Sequence, residues 1–127
     1  MARDEITLNY LTYDATDSVG YVCPTPQAVT QANGIKLKKA FAGKDNSVKI
    51  IIENTDSSND HTLTIKAGEK QNACLGDSTV ALKKSATTIV APLRDMARYE
   101  RADGSIYLDF SSGFTGNIYA VAEKAGL

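Results

Sequence analysis

Residues 48–67 read V-K-I-I-I-E-N-T-D-S-S-N-D-H-T-L-T-I-K-A, two strand-like runs on either side of a polar loop. Apolar residues stand at every second position of both runs, which places them on one face of a β-strand. The residues between the runs, 54–60, are almost all turn formers. The stretch therefore predicts two β-strands joined by a turn. The apolar set is Val48, Ile50, Ile52, Leu63 and Ile65.

The same period-two alternation extends outward in both directions. It recurs at Glu5–Leu11 and in residues 79–83, 105–110 and 118–122. Short strands separated by turns every 8 to 12 residues or so are typical of a sandwich or a closed barrel, not of a parallel α/β sheet.

Glycines mark two of the predicted turns. Asp103-Gly104 is the dipeptide that favours a two-residue type I′ hairpin turn. Gly113 and Gly116 stand where the chain can need left-handed backbone geometry. Both turns lie between strand-like runs, so they predict direct strand-to-strand connections.

Helix signals are weak. Residues 25–34 predict one short turn ended by Asn33-Gly34, and Leu93–Arg98 predicts another after Pro92. Neither is long enough for an amphipathic packing face. We therefore expect an all-β fold, a single antiparallel β-sandwich of the jelly-roll or Ig-like type with little or no helix.

The length fits one domain. A chain of 127 residues that is 43% apolar can bury a core of its own. We expect residues 1–127 to form a single sandwich domain. The aperiodic, proline-containing stretch before residue 34 leaves two alternatives for residues 1–33: an extended N-terminal arm or edge strands.

Charge and hydropathy argue against several partners. The chain has 14 basic and 15 acidic residues and a net charge of −1, without the basic stripe that neutralises nucleic-acid phosphates. No apolar run approaches the roughly 20 residues of a membrane span, and the N-terminus lacks the apolar core of a secretory signal. We expect neither nucleic-acid nor membrane binding and synthesis in a reducing cytoplasm, where Cys23 and Cys74 are more typical of free thiols than of a disulfide.

Residues with catalytic or metal-binding chemistry are sparse. The single histidine, His61, begins a predicted strand beside a polar loop, a position typical of a solvated surface residue. No nucleophile elbow accompanies it, and no set of four close Cys, His or acidic residues suggests zinc. The loop Asp56–Asp60 lacks the glycine and distal glutamate of a calcium loop. We predict that the protein is not an enzyme and uses no metal or cofactor.

Several blocks in the second half form a recognisable series. They read T-I-K-A-G at 64–68, L-G-D at 75–77, P-L-R-D-M-A-R-Y at 92–99, A-D-G-S-I-Y-L-D-F at 102–110 and G-F-T-G at 113–116. In order and spacing this series resembles a family of small virion proteins of tailed phages and prophages, over roughly residues 48–121. Each block alone is common, whereas the ordered series is moderately specific.

The resemblance implies a β-sandwich that decorates the outside of the phage head and cements major capsid protein subunits. It implies a virion location on the capsid surface, with the major capsid protein as partner, and carries over no catalytic or metal residue. Closed symmetry favours a homo-oligomer, a trimer or a dimer. The alternatives are a tail-tube, tail-completion or baseplate component, and a receptor- or carbohydrate-binding module.

The N-terminal strand is the candidate contact with the capsid. An extended strand can add to an exposed sheet edge through main-chain hydrogen bonds. Two interpretations stay open and equal: a segment that pairs with the capsid, or simply the first strand of the sandwich. The candidate contact residues are Ile6, Thr7, Leu8, Asn9 and Tyr10.

Overall fold

The computed structural model describes residues 2–11, 24–38, 48–93 and 96–123. These residues form ten β-strands, one short 3₁₀ turn at Gln71–Leu75 and one helical turn, α1, at Met96–Tyr99. The strands are β1 (Asp4–Thr7), β2 (Asn9–Leu11), β3 (Gln27–Ala28), β4 (Ile35–Lys38), β5 (Val48–Asn54), β6 (His61–Ile65), β7 (Ser78–Leu82), β8 (Thr87–Leu93), β9 (Ile106–Phe110) and β10 (Gly116–Glu123). The expected all-β class is confirmed.

Strands β3 to β10 pair as a rolled ribbon. β3 pairs with β10, β4 with β9, β5 with β8 and β6 with β7, all antiparallel, as in one long hairpin folded about the β6–β7 connection. Rolling this ribbon brings β10 against β5 and β9 against β6. The strand pairing is therefore that of a jelly roll, one of the two sandwich types left open by the sequence.

The rolled ribbon makes two facing sheets. Sheet 1 has the order β1-β4-β9-β6-β7, and sheet 2 has the order β2-β10-β5-β8, with β3 also on β10. One cluster of buried apolar side chains from both sheets fills the space between them, as the alternation predicts. Its fully buried members include Ile35, Leu37, Ile50, Ile52, Leu63, Leu82, Ile106, Leu108 and Ile118.

The N-terminal strands depart from the antiparallel expectation. β1 runs parallel to β4 at the edge of sheet 1, and β2 runs parallel to β10 in sheet 2. The predicted continuous strand Glu5–Leu11 is thus divided at Leu8, where the chain passes from one sheet to the other. Of residues 1–33, the described strands β1 and β2 lie at sheet edges, while residues 12–23 lie outside the described residues.

Two turn predictions are wrong in detail. Asp103-Gly104 does not close a hairpin, because α1 and not a strand precedes it. Of the pair, only Gly104 has a positive φ, 85°. Gly113 has the expected positive φ of 84°, but Gly116 does not. Gly116 is required for a different reason: a Cβ there would collide with the carbonyl oxygen of Glu53 on β5.

Candidate functional site

The predicted contact strand is divided between the core and the surface. Ile6 and Leu8 are each 5% exposed and belong to the protein's own core. Thr7 and Asn9 are exposed and flank a surface recess of about 180 Å³. The side chain of Tyr10 lies outside the described residues. Thr7 and Asn9 therefore form the outward-facing part of the candidate set, as expected if the segment is the first strand of the sandwich.

The outer face of sheet 1 is a lattice of paired charges. Arg3 contacts Asp109 at 2.5 Å, and Lys36 contacts Asp103 at 2.9 Å. The hydrogen bond to Asp103 raises the pKa of Lys36 above its usual value. The guanidinium of Arg3 also stacks over the ring of Tyr107, 4.3 Å from its centroid. These charges are therefore paired within the chain itself.

The outer face of sheet 2 is different in character. Ile51 on β5 lies directly between Tyr119 on β10 and Ile89 on β8 in the strand register. Ile51 is 8% exposed although it is not part of the core cluster, whereas Ile89 is 62% exposed. An apolar row thus crosses three strands and ends in an exposed isoleucine at the sheet edge. The strand β8 was not predicted, although Thr-Thr-Ile-Val at 87–90 is a run of β-forming residues.

Three blocks of the ordered series, at 64–68, 75–77 and 92–99, meet at the end of the sandwich that carries the β6–β7 connection and α1. Arg98 of α1 donates from Nε to the Gly76 carbonyl at 2.9 Å and from Nη2 to the Asp77 carbonyl at 3.1 Å. Tyr99 shares a hydrogen bond with the hydroxyl of Ser78. Gly68 donates its N–H to the Arg98 carbonyl at 2.8 Å. A Cβ at this glycine would collide with the backbone of Tyr99 and Glu100. These three blocks are therefore parts of one packed cluster, whereas G-F-T-G at 113–116 lies beside His61 at the other end of β6.

Asp77 anchors the start of this cluster. Its carboxylate accepts from the Ala67 N–H at 2.6 Å and from Lys66 Nζ at 2.8 Å. These bonds hold the pKa of Asp77 below its usual value, with the Lys66 bond the larger cause. The carboxylate thus fixes the two ends of the β6–β7 connection to each other.

His61 is not the solvated residue that the sequence suggests. Its side chain is only 7% exposed. Nε2 lies 2.8 Å from Asp56 Oδ2 and Nδ1 lies 3.1 Å from Ser111 Oγ. The ring of Phe114 covers it edge-on at 5.7 Å between centroids. Burial comes from residues about 50 positions away, so local sequence gave no signal of it.

The Asp56–His61–Ser111 group has the residue types of a hydrolase triad. Its hydrogen bonds join two loops, which indicates a structural role. The carboxylate favours the tautomer with hydrogen on Nε2, so the Ser111 hydroxyl donates to Nδ1. Ser111 Oγ also accepts the N–H of Thr62 at 3.0 Å. The hydrogen bond from His61 is the main cause that lowers the pKa of Asp56 to about 2. These bonds fix the loop at 54–60 to the β9–β10 turn.

The described residues contain one exposed thiol and no cluster of metal-binding side chains. Within residues 2–11, 24–38, 48–93 and 96–123, no three His, Cys, Asp or Glu side chains are grouped to hold a metal ion. Cys74 is an exposed free thiol on the 3₁₀ turn, and Cys23 lies outside the described residues. No helix in the described part of the chain is long and apolar enough to span a membrane.

Comparison with protein-family models, with curated proteins and with solved structures gives no match for this chain.

Proposed function

We propose that the protein is a structural component of a tailed-phage virion that binds the outside of the head and cements neighbouring major capsid subunits. Its role is binding, without catalysis, cofactor or metal. The resemblance of the ordered series at 64–116 motivates the proposal, and the jelly-roll sandwich is compatible with it.

The contact among three blocks of the series is the observation that carries the proposal. Blocks that are separate in the sequence meet in three dimensions, where Arg98 contacts the L-G-D block and Gly68 contacts the segment around Arg98 and Tyr99. Their mutual contacts support the interpretation that they specify one inherited scaffold.

The capsid contact in this proposal is the N-terminal edge. Thr7 and Asn9 present polar side chains beside a recess, while Ile6 and Leu8 fix the strand to the core. A rigidly held edge loses little conformational entropy when a partner binds. Several such contacts, joined through a homo-oligomer, would give avidity because the second contact is intramolecular.

The test uses heads of the phage or prophage that encodes the chain, prepared without this protein. We expect purified protein to bind them stoichiometrically and to increase the fraction of heads that survive heating or chelation. Replacing Thr7 and Asn9 together with lysine is expected to weaken binding, whereas the matched exposed change Thr79→Lys on β7 is not.

The location of the protein decides between the alternatives. Negative-stain labelling of whole virions is expected to place the label over the head. A label confined to the tail would refute the decoration role in favour of a tail component. Heads that bind no protein at any concentration would also refute it.

A further inference from the structure

The strand β8 forms the outer edge of sheet 2. It pairs with β5 on one side, and on its other side no strand among the described residues pairs with it. An open edge presents unpaired N–H and C=O groups and is a template for another strand. Proteins protect such edges with charges, prolines and β-bulges. Residues 87–90 of β8 have none of these, whereas Pro92 and the bulge beyond Val90 protect the rest of the strand.

The direction of the free backbone groups follows from one hydrogen bond. The Asn54 N–H donates to the Ala86 carbonyl at 2.9 Å, so the backbone groups of Ala86 face β5. Because these directions alternate along a strand, the N–H and C=O of Thr87 and Ile89 face outward. The part of β8 with regularly alternating backbone groups ends beyond Val90, at the β-bulge opposite Val48–Ile50. The available edge is therefore short and centred near Ile89.

The side chain of Ile89 makes this edge unlike the other described edges. It is 62% exposed, at the end of the row that starts at Tyr119 and passes through Ile51. The edge strand β7 of sheet 1 exposes only the small residues Thr79 and Ala81. An isoleucine left in water at a sheet edge is stabilised when apolar surface covers it.

Charge favours one occupant, a second copy of the chain. In a two-fold pairing each residue meets the same surface of its partner, so a charged edge would face its own charge. The edge strand β1 of sheet 1 carries Asp4 and Glu5, so it is unsuited to pairing with its own copy. The uncharged β8 has no such repulsion, and its apolar row would continue directly into the same row of the partner.

We propose that two copies of the chain associate by antiparallel pairing of β8 with β8, with Ile89 opposite Ile89 of the partner. The two Ile89 residues exchange N–H to C=O hydrogen bonds, and sheet 2 becomes continuous across both copies. This deepens the proposed function and takes its biological meaning from it, because a two-fold pair doubles the capsid contacts of one unit.

The first test is the oligomeric state of the purified full-length chain. Sedimentation equilibrium across the micromolar range is expected to show a reversible dimer. Ile89→Lys places two ammonium groups opposite each other and should raise the dissociation constant at least about tenfold. Its unfolding midpoint should match that of the unchanged chain at concentrations where both are monomeric, since dimer formation itself raises the midpoint. The matched control Thr79→Lys, on the other sheet, should leave the dissociation constant unchanged.

The second test fixes the register in a chain whose Cys23 and Cys74 are replaced by serine. Hydrogen-bonded partners in an antiparallel pair have Cα atoms about 5.5 Å apart, within disulfide range. Ile89→Cys is therefore expected to form a disulfide-linked dimer on mild oxidation. Thr87→Cys would place its two thiols four residues apart along the strand, about 13 Å, and should not cross-link.

A wild-type monomer at every concentration would overturn the inference, as would a dimer that Ile89→Lys does not weaken. Equal cross-linking by Ile89→Cys and Thr87→Cys would overturn it as well. These outcomes are independent of head binding: a monomer that still binds heads refutes only the β8 pairing, and a β8 dimer that binds no heads refutes only the proposed function.

Discussion

Asn54 lies at the junction of three loops and is the position where one side-chain truncation should be most informative. It is 3% exposed. Its Nδ2 donates to the carbonyls of Leu82 at 3.1 Å and Lys83 at 3.2 Å, and its Oδ1 accepts the N–H of Asp56 at 3.0 Å. Nδ2 also lies 3.4 Å from the Asn59 carbonyl, so Asn54→Ala removes four hydrogen bonds from a site that water reaches poorly.

The magnitude follows from the cost of buried polar groups without partners. Each such group costs about 1 to 3 kcal/mol, and bonds in one network are not additive. We expect Asn54→Ala to lower the free energy of unfolding by about 2 to 4 kcal/mol. At about 4 °C per kcal/mol for a chain of this size, the unfolding midpoint should fall by about 8 to 16 °C.

The assay is urea unfolding followed by circular dichroism, with the linear extrapolation checked for an unchanged slope. Asn59→Ala is the matched control, because it changes the same residue type at an exposed position of the same loop. It should cost less than about 0.5 kcal/mol. If Asn54→Ala costs no more than this control, the role assigned to its hydrogen bonds is wrong.

Three further predictions concern stability. Gly68→Ala should lower the free energy of unfolding by about 2 kcal/mol or more because its Cβ meets the backbone of Tyr99 and Glu100. Gly76→Ala meets no atom, but its backbone at φ 81° and ψ −170° is almost restricted to glycine, so strain alone should cost about 1 to 3 kcal/mol. Urea midpoints measure both changes. The folded-state pKa of Asp56 is about 2, below its usual 3.8, so its contribution to stability should be complete above about pH 4 and lost as the pH falls toward 2. Asp56→Asn should therefore flatten the plot of urea midpoint against pH between pH 4 and pH 2. An unchanged plot would contradict this. Arg98→Lys should lower the free energy of unfolding by about 1 to 2 kcal/mol, because one ammonium cannot reach both carbonyls that the guanidinium bridges. Thermal melting should detect the change.

The strands were predictable where burial imposes a simple period. Ile106, Leu108 and Phe110 alternate with polar neighbours because one face of β9 meets the core. The jelly-roll order was not predictable, since pairings such as β3 with β10 join residues about 90 positions apart and leave no periodic signal. The division of the first strand at Leu8 was not predictable either, because Leu8 continues the alternation while the chain passes from one sheet to the other.

The candidate surfaces were less predictable than the fold. Within the contact set 6–10, sequence cannot distinguish an apolar face that meets a partner from one that meets the protein's own core. Ile89 was missed because an exposed isoleucine is recognised only when its strand and its edge position are known. His61 was misjudged because Phe114 and Ser111, which cover it, are distant in the sequence.

The parallel pairing of β2 with β10 has a mechanical consequence. The two strands lie near opposite ends of the chain and run in the same direction. Tension applied between those ends therefore slides the strands along each other and loads their hydrogen bonds together, whereas an antiparallel terminal pair would be peeled open one bond at a time. A force that separates residues near 9 from residues near 123 is thus resisted by all the hydrogen bonds of this pair at once.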